Sequence, residues 1–369
     1  MKYLGRPYAD KLTVLRYMDD CRRSIDVGMP SCEEPPHSVR GGVAVREEAP
    51  SLSRRNWFEI QLFDPTELKR TLDLYDAKEG RARAFLATVA KKPATRRLHA
   101  PPDLDAIRAL SIRFPNFHPV IDLVESMAAL SHAQPRSPLV LPPLLLAGSP
   151  GIGKTAFAMA LAEVLGLEWS VFGMAHSTAS FDLGGLDAGY GNGGPGLLTR
   201  QLALGEHADR FVILDELDKT PRDRNSDPLG PLLELLEPAT AARFMDEGIK
   251  VCMDMSHLRW LATANDIEQI EAPLRSRFAV FEIAPPTTVQ ATAIVRSIYR
   301  DLLQASAWGV HFSAYLEVEV LDALRGRTPR DAKSSLLLAC GRARRDGRNY
   351  LTVLDLDPPA ASTRRIGFI

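Results

Sequence analysis

Eight consecutive residues, GSPGIGKT at 148–155, carry the strongest chemical signal in the sequence. They fit the pattern G-x-x-x-x-G-K-[ST] between an apolar run, 144–147, and a predicted helix, 155–165, which is the context this pattern requires. The glycines let successive backbone N–H groups turn toward phosphate oxygens, aided by the amino terminus of the following helix. The predicted nucleotide-binding loop consists of Gly148, Ser149, Pro150, Gly151, Ile152, Gly153, Lys154 and Thr155.

The last two residues of this loop indicate which ligands it would bind. Lys154 would reach the β and γ phosphates of a nucleoside triphosphate, and the Thr155 hydroxyl would ligate Mg²⁺. ATP and Mg²⁺ are therefore the expected cofactors.

A second chemical signal lies about 60 residues further on, in FVILDELDK at 211–219. An apolar strand there ends in two carboxylates, Asp215 and Glu216. Asp215 is expected to hold Mg²⁺ through its hydration shell, and Glu216 to polarise a water for in-line attack on the γ phosphorus. Asp218 and Lys219 are expected to form a local salt bridge or to contact a neighbour.

The next apolar run, 259–264, lies in the stretch RWLATAND and is followed by Asn265. A neutral amide at this position would orient the attacking water and sense the γ phosphate without competing for the metal. An asparagine that ends a strand is by itself a common turn residue, so the prediction depends on the two signals before it.

Buried strands that alternate with helices predict the element that positions these residues. Ligands of a parallel α/β sheet bind at the carboxyl edge of its strands. We divide the chain into an amino-terminal region of unknown role, 1–100, an α/β domain, 101–285, and a mostly helical part, 286–369. In the first region, 64–89 is predicted to be helical with a cap at Asp64 or Thr66 and a break at Gly80. The basic pairs at 91–92 and 96–97, like the pair at 54–55, are predicted to be solvated surface, with contact to an acidic partner as the alternative.

Composition limits the classes of protein to which this chain can belong. The 369 residues carry a net charge of −1 with 45% hydrophobic and 25% charged residues, as in ordinary globular proteins. This balance argues against direct nucleic-acid binding but leaves room for a local basic patch. No segment has the apolar length of a membrane span, and the amino terminus lacks the apolar core of a signal peptide. A cytoplasmic location without membrane contact is expected, and the four cysteines are expected to be free thiols.

Together these motifs resemble the AAA+ ATPase module of Lon-type ATP-dependent proteases over about 114–345. In this resemblance the Asp215–Glu216 pair corresponds to the Walker B motif and Asn265 to sensor 1. The segment 227–265 is similar to the Lon segment between these two motifs, and IEAPLRSRFAVFEI at 270–283 is similar to the stretch that follows sensor 1. The resemblance implies a P-loop NTPase fold, in which a parallel sheet with helices on both faces is followed by a small α-helical lid.

The resemblance also implies roles for three arginines. Arg277 matches the arginine finger, which enters a neighbouring subunit's site, and Arg275 is a second candidate for that role. Arg330, in TPRDAKSSLLLAC, matches sensor 2, which contacts the γ phosphate from the lid. The alternatives are an exposed salt bridge for Arg277 and a pair with Asp331 for Arg330.

A glycine-rich segment, GGLDAGYGNGGPGLLTR at 184–200, resembles the Lon pore loop. Tyr190 aligns with the tyrosine that grips the substrate polypeptide. Gly191 stands where an aliphatic residue is usual, which predicts a weaker grip. A buried loop anchor is the alternative role for Tyr190.

These matches predict a Lon-like ATPase that self-associates into a ring, expected to be a hexamer, and remodels or unfolds a protein substrate through a central pore. The chain ends shortly after the sensor 2 helix, so we expect an ATPase that is not itself a peptidase and acts alone or with a separate effector.

Two other functions remain open from the sequence. One is a nucleotide-switched assembly or nucleic-acid-handling factor in a defence or mobile-element system. The other is a pseudo-ATPase scaffold, against which the intact set of Lys154, Asp215, Glu216 and Asn265 argues.

Overall fold

The computed structural model describes residues 58–75, 80–133, 137–175, 179–187, 189, 193–221 and 229–356, all within one unit, Arg54–Ile369. The strands are β1 Phe58–Gln61, β2 Thr95–Leu98, β3 Leu144–Ala147, β4 Trp169–Gly173, β5 Phe211–Asp215, β6 Phe244–Met245, β7 Cys252–Met253, β8 Arg259–Ala264 and β9 Ala279–Glu282. The helices are α1 Pro65–Leu74, α2 Gly80–Val89, α3 Leu104–Arg113, α4 His118–His132, α5 Lys154–Val164, α6 Ala179–Gly184, α7 Leu197–Leu204, α8 Leu229–Leu235, α9 Pro238–Ala241, α10 Ala272–Arg275, α11 Thr288–Gln304, α12 Val318–Leu324 and α13 Pro329–Arg345.

A five-stranded sheet in the order β4-β5-β8-β3-β9 forms the centre of the fold, and all of its pairings are parallel. Strands β3 and β8 are buried along their whole length, as expected for a parallel sheet covered on both faces. All five strands end at one edge, and β3, β5 and β8 are followed there by Gly148, Glu216 and Asn265. The predicted α/β fold is confirmed.

Two apolar cores lie on opposite faces of this sheet, because successive side chains of a strand point in opposite directions. Leu144 and Leu146 of β3 belong to one core with α3, α4 and α5. Leu145 of the same strand belongs to the other core, with α2, α7 and α8.

The described parts of the first region, 58–75 and 80–100, contribute side chains such as Leu62 and Leu86 to the second of these cores. β1 and β2 pair antiparallel, and Asp64 caps α1 by accepting a hydrogen bond from the amide of Thr66 at 2.8 Å. The predicted cap is confirmed, and α2 begins at Gly80, the predicted break. The boundary at residue 100 stays a prediction, but the packing crosses it.

Arg96 corrects the prediction for the second basic pair. Its side chain is buried, and its guanidinium donates to carbonyls at the carboxyl end of α7, including that of Leu202 at 2.9 Å. Arg97 is about half exposed, as predicted. A cation is stabilised at the negative, carboxyl end of a helix dipole. Arg96 therefore binds the β1–β2 pair to α7.

The helical part, 288–356, has a separate apolar core built from α11, α12 and α13. Its first helix begins with a capping box between Thr287 and Gln290. Gln290 also donates to the carbonyl of Pro115 at 3.1 Å, and Arg113 pairs with Asp301 at 2.8 Å. These contacts tie the helical part to the α/β part next to α3.

No helix in the described ranges is both long enough and apolar enough to cross a membrane.

Candidate functional site

The glycine loop joins β3 to α5 through glycine conformations that other residues rarely adopt. Gly151 and Gly153 have φ angles of 82° and 103°. A Cβ on Gly148 would lie 2.6 Å from the carbonyl oxygen of Ile283, so no side chain fits there without movement of the backbone. The loop lies at the carboxyl edge of the sheet, and its three glycines occupy positions that other residues cannot adopt without strain.

Lys154, the first residue of α5, is buried, with 7% of its surface exposed. Its ammonium group donates to the carbonyl oxygens of Gly148 at 2.6 Å and Ser149 at 3.0 Å, and to Asn265 Oδ1 at 2.9 Å. Burial lowers the pKa of Lys154, and the carboxylates of Asp218 and Asp215 act in the opposite direction. The lysine thus joins the glycine loop to the end of β8.

Thr155 and Asp215 meet at the same edge. The Thr155 hydroxyl donates to Asp215 Oδ1 at 2.7 Å. This arrangement brings a hydroxyl and a carboxylate from α5 and β5 together, and oxygen ligands of this kind are the ones that Mg²⁺ prefers.

Glu216 follows β5 in a left-handed backbone conformation, with φ 58° and ψ 50°. Non-glycine residues seldom adopt this conformation, and it concentrates at functional sites. The Glu216 side chain is about 43% exposed and forms an ion pair with Lys219. That hydrogen bond raises the pKa of Lys219. The prediction of a local salt bridge is thus confirmed for Lys219, whose partner is the predicted general base.

Asp218 contacts the end of β8. Its Oδ2 accepts hydrogen bonds from the backbone amides of Asn265 and Asp266, both at 3.1 Å. Asn265 is therefore held by Asp218 through its backbone and by Lys154 through its side chain.

Thr263 is a member of this cluster that sequence reasoning missed. Its hydroxyl donates to Asp215 Oδ1 at 2.7 Å and accepts from the Glu216 amide at 3.0 Å. The available signal was a threonine, two positions before Asn265, in a strand that is apolar apart from Arg259 at its start. Thr263 connects the two carboxylate residues through one oxygen.

We predict that Thr263→Val lowers the free energy of unfolding by about 1–3 kcal/mol, because the Glu216 amide loses its partner. The same substitution should lower the rate of ATP turnover, because Glu216 loses its backbone support. Urea denaturation and a phosphate-release assay measure the two effects. Thr263→Ser keeps the hydroxyl and should restore both quantities; equal losses in the serine and valine variants would contradict the role of the hydroxyl.

The two arginines after β8 differ in their contacts. Arg275 pairs with Glu268 at 3.0 Å. Arg277 donates to the carbonyl of Pro273 at 2.8 Å, and its Nε is buried without a hydrogen-bond partner among the described residues. In the described part of the chain Arg277 forms no salt bridge, so the alternative considered from the sequence receives no support.

Arg330 lies in the first turn of α13 and is exposed. Thr328, the cap of that helix, approaches the glycine loop: a Cβ on Gly151 would lie 3.3 Å from the Thr328 Cβ. The Asp331 carboxylate accepts from Thr328 Oγ1 at 2.7 Å, and it forms no ion pair with Arg330 within the described ranges. The start of α13 is thus next to the candidate phosphate loop.

Tyr190 and Gly191 lie outside the described residues. The described residues on either side meet as an antiparallel pair, Leu186 with Gly194. The role predicted for Tyr190 stays a prediction.

Comparisons with known proteins fall on the region that contains this site. The model of the AAA family, ATPase family associated with various cellular activities, matches residues 144–285. The chain is 36% identical over 152 residues to Lon protease homolog 2, peroxisomal, of Pichia angusta, which is 41% of this chain and 16% of that relative. It is 29% identical over 220 residues to Lon protease 4 of Sorangium cellulosum, which is 58% of this chain and 27% of that relative.

Among solved structures, Hsp104 of S. cerevisiae in its complex with casein, in the extended conformation, aligns with a TM-score of 0.55. The alignment has 18% sequence identity and covers 74% of this chain and 53% of that chain. At this identity the likeness shows the fold, a parallel sheet flanked by helices.

The glycine loop, the carboxylate pair and Asn265 all lie inside the matched segment, and the matched regions span only 16% and 27% of the two Lon relatives. Residues 144–285 therefore form a domain of the AAA family, and their similarity to Lon proteases is consistent with a Lon-type AAA module.

Proposed function

We propose that this chain hydrolyses ATP to ADP and phosphate and couples hydrolysis to the remodelling or unfolding of a protein substrate. The first half rests on the convergence of four residues at one sheet edge: Lys154, Asn265, Thr155 and Asp215. Hydrogen bonds of 2.6–3.0 Å join these residues to one another or to the glycine loop. The second half rests on the relation to Lon proteases.

ATP binding is assigned to the glycine loop and Lys154. The loop amides and the amino terminus of α5 would surround the phosphates. The Lys154 ammonium, held in place by three oxygens, would exchange some of these contacts for the β and γ phosphates. Asn265, which contacts the same ammonium group, would then sense the γ phosphate and orient the attacking water.

The donor set also fits Mg²⁺. Thr155 and Asp215 present a hydroxyl and a carboxylate oxygen 2.7 Å apart, and we assign them as the residues that hold the ion, Asp215 through water. When bound, Mg²⁺ would neutralise charge on the phosphate oxygens.

Glu216 is assigned as the general base. The carboxylate would accept a proton from the water that attacks the γ phosphorus. The ion pair with Lys219 occupies this carboxylate, so Glu216 would have to leave Lys219 to reach the water. An ion pair between exposed side chains is weak, so this step costs little free energy.

Arg277 is assigned as the residue that completes the site of an adjacent subunit in a ring, with Arg275 as the second candidate. Arg275 is already paired with Glu268, whereas Arg277 has a buried Nε without a partner among the described residues. This difference favours Arg277. Its charge would stabilise negative charge that develops on the transferred phosphoryl group.

Arg330 is assigned as the lid contact to the γ phosphate. The cap of its helix touches the glycine loop at Gly151, so a change in lid angle would move Arg330 relative to the phosphates. Coupling of this motion to Tyr190 would carry the substrate along a central pore.

We predict that Arg277→Ala lowers ATP turnover by roughly 100-fold and that activity returns on mixing with an inactive Glu216→Gln variant. In mixed rings, an intact Glu216 from one subunit would meet an intact Arg277 from the other. With random 1:1 mixing about a quarter of the interfaces are complete. No recovery in the mixture would contradict a role across the interface, and Arg275→Ala measured in parallel decides between the two arginines.

The remodelling half is tested by ATP-dependent unfolding of a fluorescent protein that carries an unstructured tail. Loss of fluorescence with ATP, but not with ADP, is expected for the wild-type chain. Tyr190→Ala should abolish the loss while ATP turnover without substrate continues. Unfolding that persists unchanged in Tyr190→Ala would contradict the role of this tyrosine, and stable fluorescence with an active wild-type ATPase would contradict remodelling. The expectation that the chain is not itself a peptidase stays a prediction.

A further inference from the structure

Asp246 is a buried carboxylate outside the residues assigned to the nucleotide. It lies between β6 and β7 and has none of its surface exposed. Its Oδ2 accepts from the Gly196 amide at 2.9 Å and the Thr199 hydroxyl at 2.6 Å. Its Oδ1 accepts from the Gly248 amide at 2.8 Å. One side chain thus binds the turn at 246–250 and the amino-terminal end of α7.

The segments that Asp246 joins also contact each other directly. Leu186 and Gly194 exchange backbone hydrogen bonds of 3.0 and 2.8 Å, and the Glu247 amide donates to the carbonyl of Gly184 at 2.9 Å. We call these segments, 184–187, 193–199 and 246–250, the loop base, because the first two flank residues 188–192 in sequence.

Glycines allow this close approach. Gly185 has a φ of +79°, and a Cβ there would collide with Asp246 Oδ1. A Cβ on Gly248 would collide with the carbonyl of Gly194. At the exposed side, Lys250 pairs with Asp187 at 3.3 Å. The backbones of these segments therefore approach one another closely, with the Asp246 carboxylate between them.

We propose that Asp246 is a positioning residue that makes the loop base one mechanical unit, and that it thereby sets how strongly a bound protein substrate stimulates ATP turnover. The claim that the loop base is one unit is supported by the contacts above. The claim about stimulation of ATP turnover rests on the proposed function of Tyr190, which lies three residues after Asp187.

The carboxylate is required because each of its oxygens must accept a hydrogen bond. An asparagine would turn one oxygen into an NH₂ donor, which would then face the amide of Gly196 or of Gly248. Burial raises the pKa of Asp246, and hydrogen bonds from Thr199, Gly196 and Gly248 lower it. Asp246→Asn therefore keeps the shape of the side chain but loses the hydrogen bond to one of these two amides.

The first test is hydrogen–deuterium exchange of the full chain. In Asp246→Asn, amides in the loop base should exchange roughly tenfold faster, in both the 184–199 and the 246–250 peptides, while peptides of α5 keep the wild-type rate. Asp209→Asn is the matched control: Asp209 is also a buried acceptor, bound by His99, but it lies two residues before β5, and its partner follows β2. A change confined to 246–250, or one spread over the whole chain, would contradict the proposal.

The second test measures ATP turnover with and without an unfolded protein. Asp246→Asn should lower the ratio of stimulated to basal turnover severalfold and raise the protein concentration that gives half stimulation, whereas Asp209→Asn should change neither. Thr199→Val, which removes one of the bonds, should have an intermediate effect. If exchange rises as expected but the wild type shows no stimulation, the loop base stands and the proposed function fails. If the wild type is stimulated and Asp246→Asn responds normally, the positioning role fails.

Discussion

Replacement of Glu216 with glutamine is expected to lower ATP turnover by about 10²- to 10⁴-fold while ATP binding is retained. Glutamine keeps the shape of the side chain but cannot accept a proton from water. The glycine loop, Lys154 and Asn265 do not depend on the Glu216 side chain for any of their contacts. Phosphate release and equilibrium binding of a labelled nucleotide measure the two quantities separately.

Glu282→Gln is the control for this prediction. Glu282 ends β9 at the same edge of the sheet and is exposed, so its replacement changes the net charge equally near the loop without touching the proposed base. Turnover near the wild-type rate is expected for this variant. Unchanged turnover in Glu216→Gln would remove Glu216 from the mechanism, and equal losses in the two variants would indicate a general effect of charge.

The second large effect is expected from Lys154→Met, which should weaken ATP binding by about 10³-fold. Two hydrogen bonds from an ammonium group to charged phosphates contribute about 2 kcal/mol each. Methionine fills a similar volume but donates nothing, so the carbonyls of Gly148 and Ser149 and the amide of Asn265 also lose a partner. Titration calorimetry with ATP measures the affinity directly.

Lys333→Met, an exposed lysine one turn into α13, tests whether any nearby positive charge would serve. Its affinity for ATP should remain close to that of the wild type. A Lys154→Met variant that is folded and binds ATP normally would show that the buried ammonium does not contact the phosphates.

Much of the fold follows from local patterns that the structure confirms. The runs at 144–147 and 259–264 are strands with those bounds, because a strand buried on both faces is mostly apolar; Arg259 and Thr263 are the polar residues in these two runs. The sequence pattern at 329–345 also predicts a helix, and α13 has those bounds; proline at its first position and Thr328 as its cap define the start. Lys154 follows from the glycine-rich pattern before α5, and Asp215 from the carboxylates that end a strand.

The parts that could not be predicted depend on contacts between distant segments. Arg96 looks like a surface residue in an Arg-Arg pair, and only the position of α7 supplies the carbonyls that bury it. Asp246 lies in MDEG, which resembles an ordinary turn, but its partners Gly196 and Thr199 are about 50 residues earlier in the chain. Local sequence carries no information on such pairings, so neither residue could be assigned before the fold was known.

The most direct test of the proposed function is the ATP turnover of the wild-type chain in the presence of Mg²⁺ and either an unfolded protein or duplex DNA. We expect measurable turnover without either, a severalfold increase with the unfolded protein, and no increase with DNA. Stimulation by DNA alone would contradict it and favour a nucleic-acid-handling factor, and an absence of turnover under all three conditions would contradict ATP hydrolysis at this site.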